Sequence, residues 1–110
     1  MSASDSGVRV VLATAPDVET ATELGRTLVA EQLAACVNVV PGLRSIYRWE
    51  GKVQDEAEVL LVVKTQAARC QALAARLQDL HPYDLPEILE LLVTGGSAAY
   101  LEWVRTESSP

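Results

Sequence analysis

The chain reads as an α+β domain: a ferredoxin-like, split β-α-β antiparallel sheet with a long hairpin between its second and third strands and an extra C-terminal helix. Three observations predict this. Two stretches, around residues 18–33 and 67–80, carry apolar residues at helical spacing, and β-branched or alternating runs lie before, between and after them. A Glu50-Gly51 pair separates two alternating runs and marks a tight hairpin. The resulting order, β-α-β-β-α-β-α, is that of a split β-α-β sheet with helices on one face.

Each element has a local reason. Val8–Thr14 is short and β-branched, so it reads as a strand. Ala15-Pro16-Asp17 offers a turn and a helix N-cap, with Glu19 in the first turn where the helix dipole favours it. Ala21, Leu24, Leu28 and Gln32 follow at helical spacing and predict a helix of about 15 residues. Cys36–Val40 reads as a strand broken at Pro41-Gly42. Leu43–Trp49 then alternates, with Leu43, Ser45, Tyr47 and Trp49 on one face and Arg44, Ile46 and Arg48 on the other. Val53–Thr65 forms the returning strand, apolar on both faces from Val59. Cys70, Leu73, Ala74, Leu77 and Leu80 make one stripe of a second helix. Glu87–Thr94 is the fourth strand, closed by Gly95-Gly96, and Ser97 caps a last helix with Tyr100, Leu101 and Val104. Residues 1–7 and 107–110 read as tails around a single domain, 8–106.

Composition narrows the function classes. With 49% hydrophobic residues and mixed charge, the chain is a folded domain. Phe is absent, so the core rests on Leu, Val and Ala. A net charge of −6 argues against nucleic acid and anionic lipid as partners. The longest apolar run, Val59–Val63, is too short to span a bilayer. The N-terminus lacks the basic and apolar regions of a signal peptide, and two cysteines make no disulfide framework, so the expected compartment is the cytoplasm.

The returning strand, 13 residues from Val53 to Thr65, would stretch about 40 Å, against a radius of gyration of about 13 Å for such a domain. Either the hairpin is kinked and ends near Glu56, or it projects and leaves Tyr47, Trp49 and its edges for another subunit to cover.

The stretch His81-Pro82-Tyr83-Asp84-Leu85-Pro86-Glu87-Ile88-Leu89 is the richest in chemistry. Its two prolines hold their predecessors, His81 and Leu85, extended. With Ala35-Cys36-Val37-Asn38, Ser45–Lys52, Glu58-Val59-Leu60-Leu61 and Tyr100-Leu101-Glu102-Trp103, it resembles the CutA divalent-cation tolerance family, in family order, from about Val8 to Val104. That resemblance implies a ferredoxin-like homotrimer whose hairpins reach neighbouring subunits, and a role in divalent metal ion tolerance without catalysis. It also implies weak binding of copper, zinc or another divalent cation, with no organic cofactor. An alternative plan is a PII-like signalling or scaffold trimer holding a small ligand or protein partner in its clefts.

The metal-ligand candidates are His81, Asp84, Glu87 and Cys36. His81 is the only histidine, and imidazole is the commonest metal ligand. It also directly follows the second helix, where it can instead meet free carbonyls. Asp84 and Glu87 follow at three-residue steps, which alternate in direction along an extended segment, so ligands must also come from other strands or subunits. The resemblance assigns the motif histidine to the ion, sometimes with a first-strand cysteine, but Ala13 stands at that place and removes the soft ligand that favours copper. Cys36 is a thiolate candidate or a small buried hydrophobe, and Cys70 reads as core. A lone histidine, with no nucleophile elbow and no phosphate loop, argues against an enzyme. Tyr47, Trp49, Tyr83, Tyr100 and Trp103 are all the aromatics and read as interface anchors. Lys64 and Arg48 offer positive charge that either sits near Asp84 and Glu87 or forms ordinary surface ion pairs.

Overall fold

The computed structural model describes residues 4–110. In chain order it holds β1 (Val8–Ala15), α1 (Val18–Ala30), β2 (Cys36–Trp49), β3 (Lys52–Gln66), a 3-10 turn at Ala67–Arg69, α2 (Cys70–Leu80), β4 (Leu89–Leu92) and α3 (Ala98–Glu107). The strands lie in the order β2-β3-β1-β4, and every neighbouring pair is antiparallel. This is the split β-α-β sheet expected from the sequence.

The period-2 alternation of the strands sorts their side chains between two faces. Val11, Ala13 and Ala15 of β1 and Val59, Leu61 and Val63 of β3 pack against Leu24 and Leu28 of α1 and Leu73 and Leu77 of α2. Helix α1 comes close to β2 because Gly25 has no side chain: a Cβ there would lie 3.2 Å from Val37 Cγ1. The opposite sheet face carries a small second cluster, in which Val8, Ala35 and Val104 bring α3 down over one end. Both caps read from the sequence form: Asp17 accepts from Thr20 N–H at 2.7 Å and Ser97 from Tyr100 N–H at 3.3 Å.

Three local expectations are corrected. Pro41-Gly42 does not break the second strand. Three steps from Val40 to Leu43 face two from Leu60 to Glu58, a bulge that Gly42 accommodates at φ +86°. The fourth strand is shorter than Glu87–Thr94, because its ladder with β1 ends at Leu12↔Leu89. The next β1 carbonyl on that edge, Thr14 O, is occupied by the imidazole of His81 at 2.7 Å. Ordered structure also passes the domain edges read at 8 and 106. Ser6 N–H donates to Val93 O at 3.2 Å, Arg105 reaches Ser6 O at 2.8 Å, and Ser108 is buried with its hydroxyl on Val104 O. Residues 1–3 of the expected N-terminal tail lie outside the described residues.

The hairpin is long, and the version ending near Glu56 is excluded: β2 and β3 stay paired to Trp49↔Lys52. Glu50 and Gly51 both take positive φ, 50° and 77°, as a type I′ turn requires. Strand β1 covers β3 only from Val59 to Gln66. Lys52–Glu58 therefore pairs with β2 alone, a two-stranded arm about 23 Å long.

Candidate functional site

The connector between α2 and β4 begins where α2 stops, at His81, which is held extended (φ −73°, ψ 139°) by the proline that follows. The imidazole is buried, at 8% exposure, and both ring nitrogens are engaged. Nε2 faces the Thr14 carbonyl at 2.7 Å, and Nδ1 accepts the Tyr83 N–H at 3.1 Å. A carbonyl can only accept and a peptide N–H can only donate, so the proton sits on Nε2 and the Nδ1 lone pair is spent. The Tyr83 ring leans on the imidazole with centroids 4.7 Å apart. Gln78 on α2 donates to Asp84 O at 3.2 Å, Pro86 is buried, and Ile88 packs under the main core. The prolines thus aim a short stiff segment whose polar atoms close on α2, β1 and β3.

The link to β3 is Tyr83 Oη donating to Glu58 Oε2 at 2.9 Å. Glu58 is 8% exposed and sits where the arm leaves the body. Burial first, and the Glu58 carboxylate second, push the Tyr83 phenol well above its usual range, with Glu56 and Tyr47 adding to the rise. One residue pair further out, Tyr47 donates to Glu56 at 3.0 Å. Two phenols and two carboxylates therefore share one face at the base of the arm. Sequence reasoning did not single out Glu56 or Glu58 as site residues. The available signal was parity, since Gln54, Glu56 and Glu58 share the face that turns apolar at Leu60.

The four expected metal ligands do not come together. Asp84 and Glu87 are exposed on the connector, and Cys36 is half-buried at the start of β2, opposite Lys64. Among the described residues no group of three or more His, Cys, Asp and Glu side chains is placed to hold a metal ion. Of the two readings offered for Cys36, the fully buried hydrophobe does not hold, because the residue is only partly buried. Cys70 is core, its thiol pushed up to about 11 by burial and then by nearby Glu90. Ala13 is fully buried in the helix-side core. Lys64 and Arg48 do not serve Asp84 and Glu87: Lys64 bonds Asn38, and Arg48 meets Gly51 O at 3.5 Å. Both His81 nitrogens are committed to backbone, so neither ring lone pair is free in this arrangement.

Leu85 of the connector is 71% exposed, and further apolar surface lies on the arm, on β4 and on α3. Ile46 and Val53 near the arm tip are 68% and 67% exposed, with Tyr47 and Trp49 also open. Leu89, Leu91 and Leu92 of the edge strand β4 and the Tyr100–Trp103 pair of α3 are likewise open. An open, mostly aliphatic groove of about 560 Å³ runs between α1 and β2, past Gly25, Val29 and Val37, with Arg26 on its wall.

A ferredoxin-like sheet with a protruding hairpin and an internally satisfied connector defines the structural class. Residues 9–107 match the family model described as CutA1 divalent ion tolerance protein. The divalent-cation tolerance protein CutA of Thermus thermophilus is 50% identical over 96 residues, covering 87% of this chain and 93% of that protein. A chloroplastic CutA protein of Arabidopsis thaliana is 46% identical over 99 residues, 90% of this chain, and the chain spans about half the length of that relative (54%). The solved Thermus thermophilus Cut A1 structure superposes with a TM-score of 0.90 at 47% identity, covering 93% of this chain and 99% of that one. The chain belongs to the CutA1 divalent ion tolerance family.

Proposed function

We propose that this protein works as a homotrimer in the tolerance of, or response to, divalent metal ions, binding such ions weakly and turning nothing over. The arm carries this reading. A two-stranded hairpin is marginal alone in water, and this one exposes Ile46, Val53, Tyr47 and Trp49 beyond the reach of β1. A neighbouring subunit is the natural cover, and head-to-tail contacts that close on themselves make a ring. The family name supplies the ion. The four candidate ligands, His81, Asp84, Glu87 and Cys36, do not form a cage on one chain. An ion reaching His81 must displace the Tyr83 N–H from Nδ1, which supports weak binding and ligands shared between subunits. Cytoplasmic location stays part of the proposal on the strength of two unpaired thiols. No observation on the molecule favours the PII-like alternative.

Sedimentation equilibrium tests assembly: three times 11.8 kDa is expected, and a stable monomer at micromolar concentration would refute it. Calorimetric titration tests the ion, with copper(II) bound more tightly than zinc and most copper(II) heat lost in His81→Ala. Full copper(II) affinity in that variant would remove His81 from the ligand set.

A further inference from the structure

Glu58 poses a charge problem that its own chain does not solve. The residue is 8% exposed, and among the described residues the hydrogen-bond partner of its carboxylate is the neutral phenol of Tyr83. Glu56 beside it has, among the described residues, the phenol of Tyr47 alone. No described salt bridge includes either residue, although ion pairs hold Asp5, Glu31, Asp55, Asp79 and Glu90. A carboxylate removed from water calls for a cation.

Three of the chain's nine basic residues, Arg26, Arg48 and Lys52, have no carboxylate or side-chain partner and no carbonyl closer than 3.5 Å among the described residues. Parity selects among them. Lys52, Gln54, Glu56 and Glu58 stand on one face of β3, joined across the ladder by Tyr47 and Trp49. Arg48 is on the other face, with Ile46, and Arg26 lines the groove on the helix side. One face of the arm therefore carries a cation at its tip, two aromatics along its length and two carboxylates at its base. Lys52 and Glu58 are six residues apart on one strand, about 20 Å, so they cannot meet within a chain.

We propose that Lys52 at the arm tip of one copy docks against the Glu56–Glu58–Tyr83 cluster at the arm base of a neighbouring copy. This rests on the assembly reading above and names its polar contact. The ammonium docks against the carboxylates, while Trp49 and Tyr47 lie along the same face and exclude water from the pair. Each subunit gives one tip and receives one, so the contact fixes the register of a head-to-tail ring.

A double-mutant cycle on the full chain tests it, with Lys52→Met, Glu58→Gln and the double variant followed by sedimentation through a urea series. Gln keeps the acceptor for Tyr83 and the shape of the side chain, and Lys52 is exposed, so both variants are conservative for folding. Each single change is expected to raise the subunit dissociation constant about tenfold or more, with the double variant no weaker than the worse single one. Parent trimers should also weaken as salt rises, and the Lys52→Met trimer should lose that dependence. Additive losses, or a Lys52→Met trimer as tight and as salt-sensitive as the parent, would overturn the pairing while leaving the trimer standing. If the parent itself sediments as a monomer, the pairing and the assembly reading fail together. Glu56→Gln gives a second check, because that carboxylate is exposed and its removal should weaken association by the same route.

Discussion

Between His81 and Pro86 the chain satisfies its own polar groups: two ring nitrogens on backbone, a phenol on a carboxylate, an amide on a carbonyl. From Leu43 to Glu58 the balance is reversed. The arm has a complete ladder but open aromatics, open Ile46 and Val53, and two carboxylates without a cation. Both regions hold tyrosine next to glutamate, and Tyr83–Glu58 belongs to both. The difference lies in the neighbours. The connector is pressed between α2, β1 and β3, whereas the arm has left the sheet and is met by the connector at its base, where Tyr83 reaches Glu58. A residue list rich in chemistry marks a strut in the first region, and a plain alternating strand carries the open apolar face in the second.

The largest expected effect would break the connector. His81→Ala leaves the Thr14 carbonyl and Tyr83 N–H without partners in a buried place and removes the ring against Tyr83. A loss of about 3–5 kcal/mol is expected, read from urea unfolding at fixed protomer concentration. A loss below about 1 kcal/mol would show that water replaces the imidazole and that the strut reading is wrong. The arm should respond in association instead. Trp49→Ala is expected to weaken the trimer by about 2 kcal/mol or more and to leave the far-ultraviolet spectrum unchanged. If Trp49→Ala associates like the parent, the aromatic face is not the interface.

A smaller effect sits on their shared residue. Tyr83→Phe removes one hydrogen bond to Glu58 and should cost about 1 kcal/mol. Its pH signature has a definite sign. The folded phenol titrates above the unfolded value of about 10, so its contribution is complete below pH 10 and is lost as pH rises further. The parent should therefore lose more stability than Tyr83→Phe between about pH 10 and 11.5. Parallel pH profiles would show that Tyr83 is solvated in the native state. The smallest effect concerns thiols. Cys70, buried and pushed up to about 11, should label far more slowly at pH 8 than half-buried Cys36. Assembly should slow Cys36 further if the open sheet face is covered in the trimer, and equal rates for the two would contradict the burial described here.

Element order, both helix caps, the Glu50-Gly51 turn and the apolar stripes of α1 and α2 were legible in the chain, because each depends on near neighbours or on a period of 2 or 3.6 residues. Asp17 caps α1 through a residue three positions on, and Leu24 and Leu28 of α1 and Leu73 and Leu77 of α2 announce their face by spacing alone. Motif identity along the chain was equally legible and carried the family assignment. The bulge at Pro41-Gly42 was half legible, since a proline signals interruption but not whether the partner strand compensates. The use of His81 was not legible in the same way, because it depends on contacts remote along the chain. Nothing in sequence says that Thr14, 67 residues away, presents the carbonyl that takes Nε2 and ends β4 early. Nor does sequence show that Tyr83 reaches Glu58, 25 residues back, leaving a carboxylate buried without a cation. Such pairings join elements remote in the chain, and they arise only once the sheet order β2-β3-β1-β4 places those elements side by side.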